Sequence, residues 1–233
     1  LHELQNGNAS FLAEVLAGDR VQLTLPDKSS VKLNSESSLS YAYVGGKRIA
    51  RLEGEGYFQV SKDTRHPFVV QVGSLNIEVL GTCFNVCSYK ENDFVETSLI
   101  EGSVRLYDSK SPSESIILKP SQKAIYSKNN GKISFHNTDN VKETAWIQNR
   151  LVFESEKLGS VFQKIERWYG VHIELLCPEI VNDPITGSFR GEQLPYVMEA
   201  LKIQYGFDYE ITGNKVTINK SNQLKINLNS ATL

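Results

Sequence analysis

The sequence predicts an all-β N-terminal domain, sandwich-like or a coil of short antiparallel strands, followed by a small α+β domain of two strand–helix–strand repeats. Three observations predict it. From Phe11 to Phe135, short runs of alternating apolar and polar residues are separated by turn signals. After the polar stretch 137–143, the apolar period changes from two to about 3.6. The pattern that begins at Phe153 then returns under an offset of 36 residues.

The elements follow in order. Val21, Leu23 and Leu25 alternate up to the turn Pro26-Asp27-Lys28-Ser29, and Val31 and Leu33 resume the alternation. Leu39, Tyr41 and Tyr43 lead into Gly45-Gly46, a hairpin signal because both residues can adopt positive φ. Further strands are expected over 51–60, 68–72, 75–80, 83–89, 95–100, 104–107, 116–118 and 124–126. Periodicity alone leaves sandwich, barrel and coil open. The domains are expected at 1–140 and 141–220. Leu158, Val161, Phe162, Ile165, Trp168 and Tyr169 form one helical stripe, with Ser155 as N-cap and Gly170 in the left-handed position after the last turn. Val171, Ile173 and Leu175 then alternate as a strand. Adding 36 carries Phe153 to Phe189, Leu158 to Leu194, Val161 to Val197, Ile165 to Leu201 and Gly170 to Gly206. Each unit exposes an apolar helix stripe that a sheet must cover. A hairpin at Gly213-Asn214 leads to Val216 and Ile218. In the tail, 221–233, Leu224, Ile226 and Leu228 alternate as either an extra edge strand or disordered chain.

Composition narrows the function. The 233 residues carry 25 Lys plus Arg against 27 Asp plus Glu, a net charge of −2, with 40% hydrophobic residues. That is a folded chain without the basic excess of a phosphate-tracking surface, so no nucleic-acid partner is expected. No run approaches the ~18 apolar residues of a membrane span. The early apolar stretch 11–17 is broken by Glu14 and lacks the basic flank of a signal peptide. The chain starts at Leu1, so an upstream segment is expected. The three cysteines are an odd count. Cys83 and Cys87 on one strand would be roughly 13 Å apart, too far to bond, so they are expected buried and unpaired, as is Cys177. His2, His66, His136 and His172 match no zinc spacing.

No catalytic, cofactor-binding or metal constellation emerges. Glu53 and Glu55 would share a strand face about 6.7 Å apart, near a glycosidase separation, but two acids on one short strand face are ordinarily solvated. The run from Gly54 begins like a dinucleotide fingerprint but opens no helix, and neither a nucleophile elbow nor a phosphate loop is present. Asn8-Ala9-Ser10 is a glycosylation triplet of no assigned role. Trp168 and Tyr169 read as core or interface residues. The chain is therefore expected to bind or signal rather than catalyse.

The run of short motifs resembles the periplasmic region of FecR-type anti-sigma factors. The residues that carry this are LPDKSSVKLNSESSLSY (25–41), LEGEGYFQV (52–60), HPFVVQV (66–72), VLGTCFNVCSY (79–89), SLIEGSVRL (98–106) and LKPSQKA (118–124). The second half is similar to the domain that follows in the Bacteroidetes branch, through Trp146, Leu151 and Phe153 of W-x-x-x-x-L-x-F, ERWYGV (166–171) and Gly187-Ser188-Phe189. It also resembles the short N-terminal domain of secretins and TonB-dependent transporters. Three positions depart from the family pattern. Lys28 and Ser121 stand where glycine is usual, so their turns either change type or carry strain. Gln59 replaces a usual glutamate, which weakens the acid-pair reading.

The resemblance implies a periplasmic location and a binding role. A TonB-dependent outer-membrane transporter would engage this region through its N-terminal signalling domain. The signal would reach an extracytoplasmic-function sigma factor through a membrane helix and cytoplasmic segment absent from this sequence. A partner strand is expected to add to a sheet edge at Ile185, Gly187, Phe189 and Arg190, or at an edge made by Val216 and Ile218. The alternative is a carbohydrate-binding β-sandwich with an accessory domain, resting on the aromatic content of the first half.

Overall fold

The computed structural model describes residues 11–221; the tail residues Leu224, Ile226 and Leu228 and the Asn8-Ala9-Ser10 triplet lie outside them. Strand exceeds helix, 52% to 17%, as an all-β domain plus a small α+β domain requires. The chain divides into two compact units, 1–152 and 153–233.

The first unit holds thirteen strands in one hydrogen-bonded network that folds into two layers. One layer contains β1 (Phe11–Val15), β4 (Ser37–Val44), the first half of β5 (Lys47–Gln59), β6 (Phe68–Val72), β7 (Leu75–Val79), β10 (Val104–Asp108) and β11 (Ser115–Leu118). The other contains β2 (Val21–Thr24), β3 (Ser30–Leu33), the second half of β5, β8 (Cys83–Ser88), β9 (Phe94–Glu101), β12 (Gln122–Ser127) and β13 (Ile133–Asn137). Consecutive hairpins switch between the layers, except that β4–β5 and β6–β7 both lie in the first. Pairing is antiparallel throughout except that β6 runs parallel to β5. The sandwich and coil readings thus describe one object, a two-layered coil of hairpins.

One cluster of buried side chains joins the layers. Leu39, Leu52, Phe68, Ile77 and Leu106 come from one, and Leu33, Phe58, Phe84 and Leu99 from the other. Phe58 stacks on Phe84 at 5.1 Å and meets Phe68 edge-on at 6.2 Å. Non-directional apolar burial fixes which face of each strand turns inward, because a one-residue slip would expose every core side chain.

The turns that depart from the family pattern are strained. Lys28 and Ser121 keep the glycine conformation, with φ of 69° and 63°. A non-glycine residue there costs about 1–2 kcal/mol, and glycine returns about 0.5–1 of that through the entropy of the unfolded chain. Lys28→Gly and Ser121→Gly should therefore each raise stability by roughly 0.5–1 kcal/mol, read as a higher urea midpoint. A lowered midpoint for both would refute the strain argument.

The second unit realises the repeat. Helix α2 spans Leu158–Tyr169 and α3 spans Leu194–Tyr205, identical bounds under the offset of 36. (The short α1, Val141–Thr144, belongs to the first unit.) Gly170 and Gly206 end α2 and α3 in the left-handed region, with φ of 67° and 68°. The N-cap expectation fails. Ser155 lies inside β14 (Arg150–Lys157) with φ of 49°, and the first amides of α2 donate instead to backbone carbonyls, Leu158 to Asp183 and Gly159 to Val181. Strand β14 pairs with β16 (Pro184–Arg190), and β15 (His172–Leu175), β18 (Lys215–Lys220) and β17 (Phe207–Thr212) form a three-stranded sheet in that order.

Candidate functional site

The residues expected at a partner edge separate into two groups. Strand β18 is central, parallel to β15 on one side and antiparallel to β17 on the other. Val216 and Ile218 are fully buried. They present no edge, which corrects the expectation placed on them: strand order rests on long-range pairing, and alternation cannot reveal it.

Strand β16 differs. Its ladder runs to β14 alone, and no other strand of the described residues pairs with its second side. Ile185 is buried and Phe189 packs edge-on against Phe153 at 6.2 Å. Gly187 and Arg190 are exposed, and a Cβ on Gly187 would meet nothing within 4 Å. The strand is thus anchored from one face while its backbone stays approachable. Tyr169, half-buried, donates through its hydroxyl to the Glu192 carbonyl just beyond β16.

Glu53 and Glu55 do not work as an acid pair. Glu53 is exposed and ion-paired with Lys90. Both carboxylate oxygens of Glu55 accept amide hydrogens, from Asn34 at 2.8 Å and Asn85 at 2.9 Å. Asn85 in turn accepts from the Trp146 indole, and Asn34 from Arg20. Trp146, Asn85, Glu55, Asn34 and Arg20 therefore form one polar chain on the first unit, and Glu55 is held as an acceptor at its centre.

A second polar hub escaped the sequence reading. Arg48, almost fully buried, donates through Nε to the His66 carbonyl and through Nη1 to Asp27 and the Ser61 carbonyl. Its guanidinium lies 5.4 Å from the Phe68 ring centroid. Asp27 also accepts from the Ser29 amide and hydroxyl. The LPDKS and HPF motifs, distant in sequence, meet at this side chain. The only available signal was an arginine at an inward-facing position beside Ala50 and Leu52.

The three cysteines form no disulfide. Cys177 is buried as expected, but Cys83 and Cys87 are only half-buried, since both lie on the outward face of β8. Cys83 sits 2.7 Å from the Tyr57 hydroxyl, and burial pushes its thiol up. Among the described residues no group of His, Cys, Asp and Glu could hold a metal ion, and no helix is long and apolar enough to cross a membrane. The ring pairs Phe58–Phe84 and Tyr41–Phe68 lie in the core rather than on the surface.

Comparisons with known proteins follow the two units. The chain matches the FecR protein family over residues 13–105 and the FecR C-terminal family over residues 150–218. No curated protein matches it. Two crystal structures of a candidate anti-sigma factor from Parabacteroides distasonis are similar, each at 30% identity and covering 91% of this chain. One, at 2.50 Å resolution, is matched over 100% of its own chain with a TM-score of 0.80; the other, at 1.65 Å, over 99% with 0.79. Both halves match in the family's order, and the likeness runs through nearly the whole chain. The protein belongs to the FecR family of anti-sigma factors, a regulatory rather than a typically enzymatic family.

Proposed function

We propose that this chain is the periplasmic, signal-receiving part of a membrane-anchored anti-sigma factor. Its partner is the N-terminal signalling domain of a TonB-dependent outer-membrane transporter. Its output passes through a membrane helix and cytoplasmic segment outside this sequence to an extracytoplasmic-function sigma factor. The observation that supports this best is the pair of family matches, one on each unit. The chemistry is a change in protein–protein affinity, and a partner can act only by preferring one of two states of the regulator.

Strand β16 is the proposed point of contact, with Ile185 and Phe189 holding the strand and Gly187 and Arg190 presented to the partner. Its second side supplies backbone donors and acceptors for an added strand, and a side chain at Gly187 would meet nothing within 4 Å, so the position tolerates substitution. Gly187→Pro, which deletes an amide hydrogen, should weaken binding to the cognate signalling domain by roughly tenfold or more, the equivalent of about one to two hydrogen bonds. Gly187→Val keeps the amide and should bind nearly as the parent does. Calorimetric titration of both variants, each checked for an unchanged thermal transition, decides the matter. Equal affinity for parent and proline variant would refute the assignment of β16.

A further inference from the structure

We infer that residues 138–149 form a releasable strap on the outer face of the first unit, a latch that opens without unfolding the core beneath it. The strap contains α1 and a single 3-10 turn, Ala145–Gln148. Polar bonds and two buried apolar side chains hold it, beginning with the Thr138 amide, which donates to the Ser121 carbonyl at 2.9 Å. Lys123 of β12 bonds Glu143 at 2.7 Å and Glu96 of β9 at 3.2 Å. Thr138 donates to the other Glu143 oxygen, Asn140 donates to the Leu99 carbonyl, and the Trp146 indole donates to Asn85. Ala145 and Trp146 are buried, yet neither belongs to the cluster that joins the two layers.

Two further observations favour an open state. Asn140 and Asn149, at either end of the strap, both hold positive φ, 62° and 55°. Such residues store strain that release would relieve. Beneath the strap lies a polar surface. Ser98 pairs across the strands with Asn85 on one side and Lys123 on the other, and is almost fully buried. Its hydroxyl has no hydrogen-bond partner among the described residues, nor has the Asn140 side-chain oxygen. Opening would hydrate these groups, and the only buried apolar side chains of the strap that it exposes are Ala145 and Trp146, so its cost lies below that of global unfolding.

The strap is also the stretch of chain that leads into the second unit, where Phe153 ends the motif that Trp146 begins. Released, it would add roughly 40 Å of extended chain to the link. On the function proposed above, a partner engaging the second unit thereby acquires a lever on the first. The latch itself needs no partner and is tested without one.

The test uses the full chain with Trp168→Phe, or Trp168→Tyr if the first variant folds poorly, which leaves Trp146 as the single indole. Acrylamide quenching of Trp146 and far-UV circular dichroism are followed through a urea series. Trp146 should become accessible at lower urea than the loss of strand signal. Lys123→Met should raise quenching of Trp146 roughly tenfold at low urea while leaving the strand transition in place, as expected for a local opening. Coincident transitions in both proteins would overturn the proposal, as would unchanged quenching on removal of Lys123.

Discussion

Arg48→Met should destabilise the first unit by about 3–5 kcal/mol, the range for removing one partner of a buried ion pair. The guanidinium is 3% exposed and Asp27 12%, so solvent does little to screen the pair. Methionine matches the apolar stem and keeps van der Waals contact with Phe68. It leaves the Asp27 carboxylate, the Ser61 carbonyl and the His66 carbonyl without the donor they share. Arg48→Lys should recover only part of the loss. A lysine is a point charge and cannot present Nε and Nη1 to acceptors lying in different directions. The measurement is urea unfolding followed by strand dichroism, to which the thirteen strands of the first unit contribute most. A cost below about 1 kcal/mol would place this site with exposed ion pairs and refute the hub.

The same residue marks where sequence reading ends. Local signals were legible. Gly45-Gly46 takes positive φ at both positions, 56° and 76°, as a two-residue hairpin turn requires. The helix stripe from Leu158 to Ile165 is buried, and the repeat holds to the residue in α2 and α3. Signals that depend on distant chain were not. Arg48 interrupts an apolar face, so alternation started the strand at Arg51, whereas β5 begins at Lys47. Only Asp27, Ser61 and His66, folded around it, make an inward arginine tolerable. Likewise Ser155 has the chemistry of a cap, but Val181 and Asp183 carbonyls reach the α2 amides first. At the candidate site, the alternation at Val216 and Ile218 identified a strand and could not say that β15 and β17 enclose it. For β16 the apolar anchors, Ile185 and Phe189, were readable; that β14 is its one partner among the described residues was a matter of topology.

Gly54→Ala should cost about 1.5–4 kcal/mol, from backbone strain of about 0.5–1 net of unfolded-chain entropy and overpacking of about 1–3. Gly54 is where β5 leaves one layer for the other. Residues 47–53 pair with β4, while 54–59 pair with β8, and φ at the bend is 87°. Bent strands of this kind form the corners of layered sheets, and the twist they need favours glycine. An added Cβ would lie 2.4 Å from the Ser37 hydroxyl and 2.8 Å from both the Glu36 carbonyl and the Ser37 Cα. Two of those three atoms are backbone, so no rotamer change relieves the overlap. The Ser37 hydroxyl also accepts the Glu55 amide at 2.9 Å, so displacing it would disturb the polar chain that ends at Trp146. Gly46→Ala separates the two contributions, because Gly46 has φ of 76° with nothing within 4 Å of where the alanine methyl would sit. That control should lose only the strain less the unfolded-chain entropy, about 0.5–1 kcal/mol. If both variants lose the same amount in urea unfolding, the close approach to Ser37 contributes nothing and the corner is held by backbone conformation alone. If Gly54→Ala loses clearly more, the glycine of the LEGEGYF motif is retained for space as well as for φ.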